Sequence, residues 1–418
     1  MRENLVRTRS EIRSLLLPPA RGGRRRRAAT GGGLPLGILS GALVLLAVAC
    51  AAPRRKAEAP VFFPPAPELP RIQYLTSFSG LKDIEEQSAF SRFVVGDMPD
   101  QKVDKPYGVA VYDGRIYVCD TNGGVAVFDL KAGTFGLLKG AVGRGMLRQP
   151  VNISIEPDGT KFVADPVRGQ IVVFDRNDEY LKAYGAPGGW RPVDAVPFEN
   201  KLYVADVQNG LVKVFDRQSG DAIGTIGDTQ DPSGRLDRPT NLAVDRDGFV
   251  YVSDAGRFQV VKFDREGRFQ ATIGRLGDNL GHFARPKGIA LDRDGHLYAV
   301  DASFNNVQIF NERGRLLMFF GKAGDEAGDL LLPAKVAIDY DNLQYFQQYV
   351  RAGFRVEYLV LVTSQFAKRR VSIFGFGREE GARYPGDEEL LQQVDERKKK
   401  VQEKPQTPAE PPSQPRSP

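Results

Sequence analysis

The stretch Arg238 to Gly274, RPTNLAVDRDGFVYVSDAGRFQVVKFDREGRFQATIG, decides the architecture. Short apolar runs, LAV, VYV and VVKF, alternate with Asp-Arg-Asp-Gly and Asp-Arg-Glu-Gly, and no stretch repeats with a helical period of 3.6. The Gly of each polar group supplies the positive φ that a tight hairpin needs. The next unit reads the same way. Gly288 to Leu291 is a first strand, Asp292 to Gly295 a turn, His296 to Val300 a second strand, Gln308 to Phe310 a third, Glu312 to Gly314 a turn, and Leu316 to Phe320 a fourth.

Working outward, the same pattern recurs along most of the chain. KPYGVAVYDGRIYVCD (from Lys105), QPVNISIEPDGTKFVAD (Gln149), RPVDAVPFENKLYVAD (Arg191), RPTNLAVDRDGFVYVSD (Arg238) and RPKGIALDRDGHLYAVD (Arg285) align almost without gaps, and a degenerate sixth, LPAKVAIDYDN, begins at Leu332. The opening prolines are Pro106, Pro150, Pro192, Pro239, Pro286 and Pro333, spaced by 44, 42, 47, 47 and 47 residues. Four short strands per period of this length make one propeller blade. The sequence therefore predicts an all-β, six-bladed β-propeller over residues 71–377.

The units resemble NHL repeats, whose signature runs Pro-x-Gly-(Ile/Val)-Ala-Val-Asp, Asp-Gly, Tyr-Val-x-Asp and Val-x-x-Phe-Asp. The resemblance covers about three quarters of the chain and implies the fold but no activity. The sixth unit ends at Val371 to Phe374 with no fourth strand after it, while Ile72 to Phe78 (IQYLTSF) has no other strands of its own. This N-terminal segment is expected to close the last blade and cover its edge.

The chain's formal net charge of +6 and pI near 9.1 raise the question of nucleic acid. The excess sits in the first 49 residues, where Arg2, Arg7, Arg9, Arg13, Arg21 and Arg24 to Arg27 face only Glu3 and Glu11, and the remainder is close to neutral. Leu34 to Ala49, LPLGILSGALVLLAVA, is too short for a comfortable bilayer span but suits a signal-peptide core behind the arginine cluster. Leu46-Ala-Val-Ala-Cys50 resembles a bacterial lipobox, which implies lipidation of Cys50, with Ala47 standing where Leu is commoner. The alternative is an uncleaved anchor with an incidental cysteine. Either reading exports the chain from residue 50 onward. Ala51 after the cysteine implies, by resemblance to enterobacterial sorting, the outer membrane.

The expected organisation is a lipoprotein-type signal peptide at 1–49, a Pro/Ala-rich tether at 50–70, the propeller at 71–377, a short helical extension at 378–403 and a disordered tail at 404–418. A further short helix is expected over Glu85 to Phe93 in the long loop before the first repeat. Cys119 is left without a disulfide partner, and its apolar surroundings predict a buried, inert thiol. No CxxCH haem motif is present.

Candidates for chemistry are few. His282 and His296 are the only histidines, so the three-histidine zinc site of amidating lyases that share this repeat cannot be built, and both are expected in incidental loop roles. Asp120, Asp165, Asp206, Asp254 and Asp301 close the second strand of five units, with Ser364 near the sixth equivalent. A ring of carboxylates suggests metal, but a residue that recurs in every blade is better read as one that builds every blade by capping backbone N–H groups. The Asp-x-Asp-Gly runs at Asp245 and Asp292 lack the downstream Glu of a calcium loop and read as turns.

The position two after each opening proline varies: Gly108, Asn152, Asp194, Asn241, Gly288 and Lys335. It lies where innermost strands enter the central channel. Asn152, Asp194 and Asn241 are candidate ligands for a divalent cation such as Ca²⁺, a set resembling that of propeller lactonases, with Lys335 beside them. Lys105, Arg191, Arg238 and Arg285 form a basic rim on the same face, suited to an anion or peptide. The near-neutral mature charge and the export signal argue against nucleic acid. The aromatic insertion in the sixth unit, with Tyr345, Phe346, Tyr349, Phe354 and Tyr358, is expected to pack on its own blade. Together these features predict an exported, lipid-anchored propeller that binds an envelope protein or peptide. The competing class is a metal-dependent hydrolase or lyase at the channel mouth.

Overall fold

The computed structural model describes residues 59–84, 101–392 and 396. Cys50, the predicted helix over Glu85 to Phe93 and the tail from 404 lie outside them. Within the described residues the chain forms six antiparallel sheets, one per repeat. Blade 4 is representative: Pro239–Val244, Val250–Asp254, Gln259–Phe263 and Phe269–Ile273 follow one another in sequence and in space. The first strand of each blade packs beside that of the next, and Pro333–Asp339 of blade 6 returns to Pro106–Tyr112 of blade 1, so the ring is closed.

The strands read as continuous apolar runs because both faces of each blade are buried. In blade 4, Val250 and Val252 point toward blade 3, while Tyr251 between them points toward blade 5. In blade 1, Ile116 and Val118 pack toward blade 6, and Tyr117 and Cys119 toward blade 2. Each of the six apolar clusters lies between two neighbouring blades. At roughly 1.5–3 kcal/mol for each large side chain fully buried, these interfaces hold the ring together. Cys119 is wholly buried in one of them, unpaired, with its thiol pKa pushed well up by burial.

The recurring aspartates have the predicted structural role, on both sides of the strand they end. Asp254 is fully buried; its Oδ1 accepts from the backbone N–H of Arg238, Gly256 and Arg257, and its Oδ2 from that of Asp237. Asp120, Asp165, Asp206 and Asp301 likewise join the loop that enters their blade to the loop that comes after them.

Blade 6 is assembled from both ends of the domain. Ile72–Phe78 pairs antiparallel with Val371–Glu379, as the sequence predicts. The blade then extends one strand further, because Phe62–Phe63, inside the stretch read as a tether, pairs with Ile72 and Gln73. Phe63 packs its ring against Phe320 and Phe374, and Phe62 against Phe354. Two apolar residues among prolines are too short a run to stand out as a strand, but their rings fill the edge of the sheet.

The aromatic insertion turns inward as expected. Phe346 and Phe354 are buried, Tyr358 stacks on Phe376 at 4.7 Å, and only Tyr349 is exposed. Residues 387–392 are helical, in the predicted extension. Among the described residues no helix is long and apolar enough to cross a membrane.

Candidate functional site: the channel mouth

The inner strands approach one another most closely where they begin. A Cβ on Gly108 would meet Asn152 Cα at 2.6 Å, and one on Gly288 would meet Lys335 Cα at 2.4 Å. These two glycines therefore let neighbouring backbones touch, while the other four variable positions bring polar side chains into the channel.

The structure brings those four together. Asp194 Oδ1 accepts from the Ala195 N–H at 3.0 Å, and Oδ2 accepts from the Leu242 N–H at 2.9 Å. Lys335, 141 residues away and on the opposite side of the ring, reaches across the channel and donates from Nζ to Asp194 Oδ2 at 3.2 Å. Asn152 Nδ2 donates to the Val193 carbonyl at 2.9 Å. The Asn241 amide is best satisfied when turned so that its oxygen accepts from Asn152 Nδ2 (3.0 Å) and its nitrogen donates to the carbonyls of Thr240 and Lys287. All four residues are buried.

This arrangement does not fit a divalent cation. The set has one carboxylate, whose two oxygens already accept two backbone N–H groups and an ammonium, and the ammonium would repel the ion. Asn152, Asp194 and Asn241 are a polar plug tied by Lys335.

Above the plug lies a group that the variable-position argument missed. Lys287, one residue after the opening proline of blade 5, leans over blade 6 toward blade 1. Its Nζ donates to Gln365 Oε1 at 2.9 Å and sits 5.2 Å from the Tyr107 ring centroid. Burial, then the positive charges of Arg285 and Lys105, lower its pKa to about 8. Burial and the nearby Asp194 charge push the Tyr107 hydroxyl well up. Thr363 completes the wall: its Oγ1 accepts from the Lys335 N–H and donates to the Tyr107 carbonyl.

The rim residues Lys105, Arg191, Arg238 and Arg285 occupy equivalent places. Each backbone N–H bonds to its blade's recurring aspartate, and each side chain is exposed on the same face. The charges of Lys105 and Arg285 act on Lys287, whereas Arg191 and Arg238 enter blades 3 and 4.

The opposite face holds a concavity of about 520 Å³ between blades 4 and 5, lined by Asp245, Phe249, Tyr251, Lys262, Asp292 and Glu312, among others. Asp245 and Asp292 each use Oδ1 to accept two N–H groups of their own turns, as predicted. His296, expected as an incidental loop residue, instead joins a network. Nδ1 lies 2.8 Å from Asp292 Oδ2, Nε2 lies 3.0 Å from Asp387 Oδ2 in the C-terminal extension, and Asp292 Oδ2 also accepts from the buried Tyr358 hydroxyl. Burial pulls the imidazole pKa down, but the bonds to Asp292 and Asp387 outweigh it and raise it to about 9. Ligand atoms of Asp292, Asp294 and His296 lie within 4.8 Å of one another, close enough for a metal, although Asp292 and His296 already satisfy each other. Sequence spacing gave no sign of this network, because Asp387 and Tyr358 are remote in the chain. His282 Nε2 accepts from Arg275 Nε in its own loop.

No protein-family model and no curated protein matches the chain. Solved structures do. A structural genomics protein of unknown function from Bacteroides thetaiotaomicron aligns with a TM-score of 0.51 at 13% identity, over 72% of this chain and 75% of its own. An auxiliary nutrient binding protein from the same organism gives 0.49 at 11% identity, over 65% and 69%. A gluconolactonase from Xanthomonas campestris gives 0.48 at 16% identity, over 77% and 99%. The first of these likenesses bears on the fold alone, and none of the three speaks to activity.

Proposed function

We propose that this chain is an exported, NHL-like β-propeller, lipid-anchored through Cys50 at the outer membrane, that acts as a protein- or peptide-binding scaffold module of the cell envelope. The observation that carries the module reading over a metal-dependent hydrolase or lyase is the Lys335–Asp194 pair. It places an ammonium where a catalytic cation would have to sit, and the only carboxylate among the candidate ligands is spent on it. The address rests on the leader, the lipobox-like LAVAC and the near-neutral charge of the chain beyond it.

Two measurements test the reading. Cys50→Ser is expected to abolish incorporation of labelled palmitate and to release the protein from the membrane fraction; a labelled, membrane-bound variant removes the anchor from the proposal. Metal analysis of the purified chain, paired with crosslinking and pull-down from native membranes, is expected to give sub-stoichiometric Ca²⁺ and Zn²⁺ and an envelope partner. A stoichiometric ion that disappears in Asp194→Ala would restore the enzyme.

A further inference from the structure

Among the described residues three lysines are buried, and two are fully matched by their surroundings. Lys161 is wholly buried and pairs with Asp178 at 2.9 Å while donating to the carbonyls of Gly159 and Asp175. Lys335 has Asp194. Lys287, only 7% exposed, has the neutral Gln365 oxygen and the face of Tyr107, and the charges bearing on it are the like charges of Arg285 and Lys105. Among the described residues no carboxylate lies within ion-pair distance of Lys287, Lys105 or Arg285. A buried ammonium without a counter-charge is costly, and proteins pair such groups or neutralise them. The missing counter-charge has an open approach, because Lys105 and Arg285 flank Lys287 on the exposed face of the channel.

We propose that the mouth formed by Lys287, Lys105, Arg285, Tyr107 and Gln365 is a carboxylate-receiving site, and that the envelope partner docks by presenting an acidic side chain or its C-terminal carboxylate to Lys287. The proposal rests on the module reading. A carboxylate oxygen accepts from a remaining N–H of the ammonium, the flanking cations steer the acid in, and the Tyr107 ring and Gln365 fix its place from the side. Lys287 faces Arg285 from the loop that enters its own blade, Lys105 and Tyr107 from blade 1 and Gln365 from blade 6, with the Asp194–Lys335 ion pair beneath. Docking supplies the negative charge this surround lacks, so Lys287 must hold its proton in the complex. Affinity is therefore greatest between about pH 5.5, where the acid is ionised, and about pH 7, and falls through pH 8 toward about tenfold per pH unit above it.

Calorimetry on the full chain in detergent, titrated with an oligoglutamate peptide and separately with succinate, tests this. The peptide is expected to bind with proton uptake near pH 8, and Lys287→Met to weaken it at least about tenfold, the usual size for a lost charged contact. Gln365→Glu is the decisive variant. It places a carboxylate 2.9 Å from Nζ, so it should keep or raise the thermal stability and yet block binding. Arg246→Gln, on the opposite face, should leave binding unchanged. Binding by the peptide alone supports a protein source of the acid; equal binding by succinate shifts the source to a free small acid and overturns the docking role. No binding by either probe, binding independent of pH between 7 and 9, or unimpaired binding by Gln365→Glu overturns the site. With the pull-down intact, those results leave the module reading standing; stoichiometric metal and no partner sink the module whatever the peptide does.

Discussion

Blade 4 and blade 6 are built to the same plan by different means. Blade 4 is one uninterrupted run of sequence whose Asp254 gathers four backbone N–H groups. Blade 6 has strands from both ends of the domain, and in the aspartate's place stands Ser364, whose hydroxyl accepts a single N–H, from Leu331, at 3.4 Å. Blade 4 contributes one side chain, Asn241, to the floor of the channel mouth. Blade 6 contributes Lys335, Thr363 and Gln365, the residues that tie Asp194, brace Tyr107 and hold Lys287. The repeat that departs most from the pattern is thus the one that gives the channel its chemistry: positions fixed by the blade's own hydrogen bonds are not free to vary.

The largest effect is expected where blade 6 depends on its N-terminal strand. Deleting residues 71–79 removes the partner of Val371–Glu379 and is expected to abolish the cooperative thermal transition followed by circular dichroism; a deletion that melts like the parent would show that the blade stands alone. Next in size, Asp254→Ala strands several buried N–H donors and is expected to cost about 3 kcal/mol in urea unfolding, against less than about 1 kcal/mol for Ser364→Ala. Equal costs would erase the distinction between the blades. Phe63→Ala should lose about 2 kcal/mol through its contacts with Phe320 and Phe374, and no loss would mean that the outermost strand is ornamental.

The smallest effect sharpens the account of how blades 5 and 6 meet the C-terminal extension. The folded-state pKa of His296 is raised from 6.5 to about 9, so its stabilisation is fully present below pH 6.5 and is lost as pH rises through 9. Over that window stability should fall by about 1–2 kcal/mol more in the parent than in His296→Gln, less than the full shift implies because solvent screens the partly exposed Asp387. Parallel pH profiles would show that the imidazole is not charged in the fold.

The fold was legible in the sequence because its determinants are local: an Asp-Gly turn, an apolar run buried on both faces and a capping aspartate each announce themselves within one repeat. The candidate site was legible only in outline. The variable ring at Asn152, Asp194, Asn241 and Lys335 was visible as a departure from the repeat, but the pairing of Lys335 with Asp194 depends on which blades face each other across the channel. Lys287 escaped because one place after the proline the side chain varies widely, with Tyr107, Val151, Val193, Thr240 and Ala334 in the other blades, and only the curvature of the ring aims it at Gln365 and Tyr107. The role of His296 is hidden for a similar reason, since its partners Asp292 and Asp387 belong to a turn and to an extension with no shared period.

The pairing of Ile72–Phe78 with Val371–Glu379 also acts as a check on completeness. A ribosome delivers a chain from its N-terminus, so Ile72–Phe78, held until then only by the two residues Phe62 and Phe63 on one edge, must wait for the last strand to cover its other edge. A chain that ends before Val371–Glu379 is left with two unsatisfied sheet edges, one at each end, which expose it to proteases and chaperones. Only a chain that runs through Glu379 can hide both.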